Sequence, residues 1–322
     1  MSKRIGWICA IVAIVAYSTN MPIARGAILQ GMAPTTLLLG RFLLASALYG
    51  VTMGGMVLRA KSTDDLIDGE RPLDRFGLSV GLASGFVNGL MMVAFFSALK
   101  TVSASISSLM SISLIQIFTL ALLAFLGESM TVRKMIQVVI GVSGLGLLVG
   151  LGGTADLFGI LLIVTGAMLY AGHIISVQWF LRPYNTWTVT SLIVVAATVA
   201  VVMLWVITGQ STFIPAPLGW IAIVVQGIVA TCIGRILTYK AINLIGSGQF
   251  ALLTPLETAL SVTWAALFLA ESLLPVQWLG TVLILFGALL AADLVWHFFE
   301  RQALWLKGRL ALDERERSNG RV

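Results

Sequence analysis

Apolar residues run along this chain in blocks of roughly twenty, broken by short polar or charged clusters. A block of that length matches the hydrocarbon thickness of a bilayer crossed by a helix. A membrane barrel would instead read as short alternating segments, whereas a helix satisfies its own backbone hydrogen bonds in lipid. The blocks therefore predict ten transmembrane helices, at 5–24, 34–57, 76–98, 101–126, 135–151, 158–180, 188–208, 218–239, 248–270 and 276–296. The first begins behind Lys3 and Arg4, as a signal peptide would. Its apolar stretch is too long for a signal core, no small-x-small cleavage site closes it, and Asn20 with Pro22 marks a retained span.

Composition sharpens this picture. Of 322 residues, 58% are hydrophobic and 11% charged, with a mean hydropathy of +0.99. Soluble domains carry about a quarter charged residues, so a water-facing surface cannot be built here. The expected fold class is an all-α integral membrane protein. Threading the spans from a cytoplasmic N-terminus places 16 of the 20 Lys and Arg on one side, including Lys3, Arg59, Arg75, Arg133, Arg182, Lys240 and the basic residues of the tail. The other side receives Arg25 and Lys100, while Arg41 and Arg235 fall inside spans. The positive-inside rule then orients the protein in a cytoplasmic (inner) membrane with both termini cytoplasmic. A pI near 9.6 does not point to nucleic acid, because the basic residues cluster at span ends and in the tail.

Cys9 and Cys232 both lie inside apolar runs and offer neither a disulfide framework nor a metal quartet. No P-loop, HExxH or Ser-His-Asp constellation occurs, so no enzyme, cofactor or metal is expected. The tail 297–322 mixes Arg301, Lys307, Arg309 and Arg315 with Trp305, Leu306 and Leu310. An amphipathic helix on anionic lipid and a solvated tail are both open readings. The charged stretch Ser62–Asp74 reads as a cytoplasmic loop without a function of its own. Trp7, Trp187, Trp205, Trp220, Trp278 and Trp296 near span ends read as interfacial anchors.

Sliding the chain on itself by 143 residues pairs Ala98 with Ala241, Leu109 with Leu252, Phe125 with Phe268, Glu128 with Glu271 and Gly144 with Gly287. A shift of 153 pairs Gly6 with Gly159, Tyr17 with Tyr170 and Thr35 with Thr188, and the difference falls in the charged loop after the second span. The expected organisation is therefore a first five-helix repeat at 1–151, a second at 158–296 and a basic tail. Because five is odd, the second repeat enters the membrane inverted. Two opposed halves can exchange conformations around a central site, which suits a carrier.

The same stretches carry Gly40-Arg41-Phe42, Ala98-Leu99-Lys100 with Ser103-Ala104-Ser105, and Leu126-Gly127-Glu128 in the first half. In the second half stand Ala241, Pro255-Leu256-Glu257, Ala270-Glu271, and Gly280 with Gly287. In this order and doubled form the chain resembles the EamA-like branch of the drug/metabolite transporter superfamily over nearly its whole length. The resemblance implies a ten-helix, basket-like transporter moving small metabolites, often outward. The chain departs from the family pattern at Ile112-Ser113, Thr258 and Ala270, where the family often has proline, proline and glycine.

Ionisable residues in mid-span normally face a cavity or a partner. Glu257, just after the helix-breaking Pro255, is a candidate proton acceptor or cation-binding carboxylate, with a structural hydrogen bond as the other reading. Arg41, seven residues into the second span, suits an external vestibule or a packing role against backbone carbonyls. Arg235, about one turn from a span end, is expected to snorkel. Ser107 and Ser111 share a helical face, and their repeat partners are Phe250 and Thr254. The opposing walls are expected from Asn88, Tyr17, Asn20, Tyr170, His173, Gln249 and Tyr239. His173, the repeat partner of Asn20, is a second candidate coupling group. The glycines Gly141, Gly144, Gly146, Gly150, Gly280 and Gly287 read as close-packing faces.

The expected partners are a small-molecule substrate, protons as a candidate driving ion, and membrane lipids; a homo-oligomer stays open. The leading expectation is a secondary-active or facilitative exporter of a small polar or amphipathic metabolite such as an amino acid or derivative. An uptake carrier for a nucleotide- or sugar-like metabolite, and a receptor or scaffold acting through the tail, are the alternatives.

Overall fold

The computed structural model describes residues 2–59, 73–127, 131–150, 156–181, 183–245 and 254–290. The tail 297–322, the loop 62–72, Glu128, Gln249 and Phe250 lie outside the described residues, as do the side chains of Tyr239, Thr254 and Pro255. The described chain is helical: α1 Ser2–Ser18, α2 Asn20–Leu29, α3 Pro34–Arg59, α4 Arg75–Ala98, α5 Ala104–Phe125, α6 Val132–Gly150, α7 Leu157–Ser176, α8 Thr186–Thr208, α9 Leu218–Val224, α10 Arg235–Ile245, α11 Thr254–Leu269 and α12 Pro275–Leu290.

Several predicted spans are composite. α1 and α2 form one rod bent at Thr19, where the Ser18 and Thr19 hydroxyls donate to the carbonyls of Val15 and Ala16. α7 runs on as a π-turn through Val177–Leu181. α9 passes through a π-helical stretch, Val225–Gly234, into α10 without a break.

Among the described residues, seven helices are long and apolar enough to cross a membrane, and three shorter apolar ones run Met135–Leu148, Leu256–Leu269 and Pro275–Gly287. The short ones correspond to predicted spans five, nine and ten and border segments outside the described residues. Large apolar side chains such as Leu126, Val139, Leu161, Val206, Ile207, Leu267 and Phe268 are exposed, as lipid-facing residues are and soluble surfaces are not. The protein is a multi-pass integral membrane protein.

Helix starts are fixed locally. Asp74 accepts from Gly77 N at 2.7 Å to cap α4, Ser103 caps α5 through Ile106 N, and Asn185 caps α8 through Trp187 N and Thr188 N. Helix ends use the left-handed backbone at Gly127 (φ 92°) and Gly209 (φ 54°). Ala270 takes the same region at φ 52°, at the position that the repeat pairs with Gly127. An L-residue there is strained by about 1 kcal/mol. Replacing Ala270 with Gly is therefore expected to raise stability by about 0.5–1 kcal/mol despite the freer unfolded chain, read as a higher unfolding midpoint in detergent.

Close packing follows from small residues. α4 is sandwiched between α7 and α8, α3 lies on α8 and the π-helical stretch, α1 on α10, α11 on α1, α2 and α5, and α6 on α12. Gly85 and Gly89 of α4 meet Ile193, Ala196, Ala197 and Ala200 of α8 so closely that a Cβ at either glycine would sit 2.7 Å from their atoms. Gly144 and Gly280 face each other across α6 and α12, and a Cβ on Gly280 would stand 2.7 Å from the Gly144 carbonyl oxygen. Gly280→Ala is expected to push these backbones apart and cost about 1–3 kcal/mol, lowering the unfolding midpoint. Gly146→Ala, with nothing within 4 Å of its Cβ, is expected to leave it unchanged.

Gly6 is packed on Leu244 and Ile245, and Gly159 on Thr101 and Val102. The indole of Trp205 donates to Thr36 Oγ1 at 3.1 Å and Trp187 meets Tyr49 edge-on at 6.3 Å. These two Trp residues serve helix contacts, while Trp220 and Trp278 are exposed as anchors would be.

Candidate functional site

Two polar cavities meet inside the helix bundle. The larger, of about 580 Å³, is lined by Tyr17, Asn20, Arg41, Asn88, Tyr170, His173 and Glu257. Also on its wall are Thr190, Thr231, Arg235, Thr238 and Tyr184. The smaller, of about 460 Å³, is lined by Ser108, Ser111, Gln116, Thr258 and Ser261 with Met21, Ile112, Ile115 and Ile174. Tyr17, Asn20, Tyr170 and Glu257 border both. Both volumes lie in the range of small-molecule sites.

Glu257 stands in the first turn of α11 at this junction. Its carboxylate makes no hydrogen bond or ion pair to a described residue. Arg41 is buried, at 5% exposure. Its Nε donates to Thr231 Oγ1 at 2.9 Å and its Nη1 to Gln226 Oε1 at 3.3 Å, with the Phe42 and Phe96 rings each 5.7 Å from the guanidinium carbon. Side-chain acceptors thus hold it, in place of the backbone carbonyls of one of its two expected roles. The π-helical winding makes this possible, since Thr231 donates to the Gln226 carbonyl five residues back and so presents its oxygen to Arg41.

His173 Nδ1 lies 2.7 Å from Ser84 Oγ and 3.1 Å from the Ser84 carbonyl, and its ring stacks on Tyr170. Asn88 Oδ1 and Asn20 Oδ1 are buried without a hydrogen-bond partner among the described residues. Ser111 borders the smaller cavity and donates to the Ser107 carbonyl at 2.7 Å. Ser107 is packed at 1% exposure and lines neither cavity, because the start of α5 is drawn against neighbouring elements. Arg235 was expected to snorkel at a span end. It lines the larger cavity instead, because the helix runs on through α10 to Ile245 and leaves it more than two turns from the end.

A charged network links α2, the start of α5 and the residue that follows the end of α11. Glu271 accepts from Ala104 N at 2.8 Å, Ser105 N at 2.9 Å and Ser105 Oγ at 2.8 Å. Arg25 Nε pairs with Glu271 Oε1 at 2.9 Å, without hydrogen-bond alignment, while its Nη1 donates to the carbonyls of Leu99 and Val102. A carboxylate at the N-terminus of α5 also meets the positive end of the helix dipole.

The stretch read as a featureless loop ends in a structural residue. Asp74 accepts from Gly77 N and from Tyr184 Oη at 2.7 Å, and these bonds hold its carboxyl below the usual carboxylate range. A depressed folded-state value means that the contribution is present above the unfolded value near 4 and is lost as pH falls through the folded one. Asp74→Asn is thus expected to lower the unfolding midpoint at pH 7, with the difference from the parent shrinking below about pH 4.

Apolar helices of membrane-spanning length around internal polar cavities define a multi-pass membrane protein. The model of the EamA-like transporter family matches residues 4–150 and 157–292. The chain belongs to this family, a membrane transporter group of the drug/metabolite transporter superfamily. It is similar to a solved protein described only as "Crystal structure of protein", at 19% identity and a TM-score of 0.59, covering 91% of this chain and 98% of that one. That likeness concerns the fold. No curated protein matches the chain.

Proposed function

We propose that this chain is a secondary carrier that exports a small polar or amphipathic metabolite, with amino acids and their derivatives foremost, across the cytoplasmic membrane by alternating access. The reading holds ten spans arranged as two inverted five-helix repeats, with both termini cytoplasmic. One observation carries it. Gly6 and Gly159 are repeat partners at 153 residues, and their contacts, Leu244–Ile245 and Thr101–Val102, are repeat partners at 143. The same contact thus occurs twice, with the halves exchanged. Packing of α5 on α7 and of α11 on α1 and α2 repeats the relation. Such equivalence suits a protein that swaps two nearly isoenergetic arrangements around a shared cavity.

In this reading the Arg25–Glu271 network closes the outer end, and the larger cavity reaches toward Tyr184 and Thr238 on the cytoplasmic side, so the state described is inward-facing. Glu257 is the proton site, with His173 as an auxiliary group, and export is the direction the family resemblance implies. Proteoliposomes holding the purified chain, loaded with a panel of metabolites and assayed with and without a pH gradient, test the proposal. Efflux of at least one solute above protein-free vesicles is expected. Folded protein that moves no solute under any gradient overturns it.

A further inference from the structure

Gln226 stands near the start of the π-helical stretch with 0% of its surface exposed, and it lines neither of the two cavities. A side-chain amide wholly buried in a membrane helix needs partners for both of its ends. Its Oε1 accepts from Arg41 Nη1 at 3.3 Å, and its Nε2 donates to the Asn20 carbonyl at 3.2 Å. No flipped amide serves both partners, because a guanidinium can only donate and a carbonyl can only accept. Gln226 therefore joins a cation on the wall of the larger cavity to the backbone of another helix.

The two ends of this bridge differ in stiffness. On the Arg41 side, α3 and the π-helical stretch approach so closely that a Cβ on Gly227 would sit 3.1 Å from the Arg41 carbonyl oxygen. Thr231 closes a ring there, accepting from Arg41 Nε and donating to the Gln226 carbonyl. On the other side lies the bend between α1 and α2. The Ser18 and Thr19 hydroxyls turn back onto their own helix, which bends helices. Pro22 has no N–H to offer the Ser18 carbonyl, which removes one more bond from the same turn. Gln226 grips the carbonyl just beyond this soft point, and Trp264 Nε1 of α11 grips Ser18 Oγ just before it, at 3.0 Å. Past the bend, α2 runs from Asn20 through Arg25, the residue paired with Glu271.

Resting on the carrier reading above, we infer that Gln226 is a positioning residue for transport, tying the Arg41 guanidinium to the α1–α2 bend so that a solute displacing Arg41 shifts α2 and the Arg25–Glu271 network with it. Gln226 touches no solute itself. Its effect is on the rate at which the loaded cavity changes sides, and the fixed contact of α3 with the π-helical stretch makes α2 the part that moves.

The test measures exchange by the full chain in proteoliposomes. The probes are labelled L-amino acids or, where these do not move, the solute that the efflux panel shows to move. Gln226→Glu keeps an oxygen for Arg41 and loses the donor to Asn20, whereas Gln226→Met fills similar space and loses both. Both variants are expected to lower the saturated exchange rate about fivefold, the scale of one hydrogen bond. Gln226→Met, which also frees the guanidinium, is expected to raise the half-saturating concentration about threefold or more, and Gln226→Glu to leave it near the parent value. In a Glu271→Ala chain, where the network is already broken, adding Gln226→Glu is expected to slow exchange by less than about twofold, the non-additivity of coupled sites. Gel filtration confirms that each variant is folded. Gln226→Glu exchanging at the parent rate, a change confined to half-saturation in both variants, or an equal fall with and without Glu271 overturns the link while the carrier stands. A lower unfolding midpoint with unaltered exchange makes Gln226 a packing residue and overturns it as well. A parent chain that exchanges no solute removes the carrier reading, and this inference with it.

Discussion

If Glu257 is the proton site of the proposed carrier, Glu257→Gln is expected to abolish gradient-driven accumulation and to leave substrate exchange intact. The carboxylate sits at the junction of two cavities, with no hydrogen-bond partner among the described residues. An acid in mid-membrane costs a few kcal/mol on insertion scales unless it has a task or a partner. Gln has the same shape and still lines both cavities, but it cannot bind and release a proton. With an imposed pH gradient, the ratio of internal to external substrate is expected to fall from several-fold to one. Exchange of labelled for unlabelled substrate without a gradient is expected to stay within about twofold of the parent, since the cavity walls are unchanged. Loss of both activities would make Glu257 a structural or substrate-binding residue, and loss of neither would remove it from coupling.

The second large effect is expected at Glu271. Its two oxygens satisfy Ala104 N, Ser105 N and Ser105 Oγ and pair with Arg25, so one side chain ties α2, α5 and the end of α11 together. Glu271→Ala leaves a largely buried guanidinium without its counter-ion, held only by the Leu99 and Val102 carbonyls, and two helix-start N–H groups without their acceptor. The cost of breaking such a pair is about 3 kcal/mol, near the low end for buried pairs because both side chains keep 15% and 11% exposure. If the network closes the outer end, this cost falls mainly on the closed state and the population shifts toward outward opening. In a chain with Cys9 and Cys232 replaced by Ala and Asn20 by Cys, an impermeant thiol reagent added outside is expected to react at least tenfold faster when Glu271 is Ala. A lower unfolding midpoint with unchanged labelling would show a structural brace instead of a gate.

How far the sequence reached can be seen residue by residue. The runs of apolar residues mark the helices because lipid demands length and continuity, and nothing local competes with that signal. Tyr17, Asn20, Arg41, Asn88, Tyr170, His173 and Glu257 stand out because a polar group in such a run must find water or a partner, and the structure brings all of them to one cavity. Arg235 was expected at the interface and not at the cavity, and Thr231, Gln226 and Thr190 were not foreseen. The apolar run suggested a helix end near Tyr239, whereas the helix continues to Ile245. The π-helical winding across Val225–Gly234 turns Thr231 and Arg235 toward the cavity, and no feature of the hydrophobic pattern announces that winding.

Ser107 shows the reverse limit. It shares a helical face with Ser111 by periodicity, but a face does not tell how deeply each turn is packed, and the start of α5 is held by the Glu271 network. Asp74 looked like part of a loop because its partners, Gly77 and Tyr184, include a residue more than a hundred positions away. The Glu128/Glu271 pairing was visible as a repeat, yet the role of Glu271 as a clamp required the positions of Arg25 and the α5 start.

Counterflow tests the central claim most directly. Proteoliposomes are loaded with a millimolar unlabelled solute identified in the efflux panel, then diluted into a trace of the same solute carrying a label. A carrier that alternates its cavity between the two sides is predicted to take up label transiently above the equilibrium level, with the overshoot decaying as the unlabelled pool drains. Monotonic equilibration with no overshoot, at a rate indifferent to the unlabelled solute inside, would mark a continuous pore and contradict alternating access.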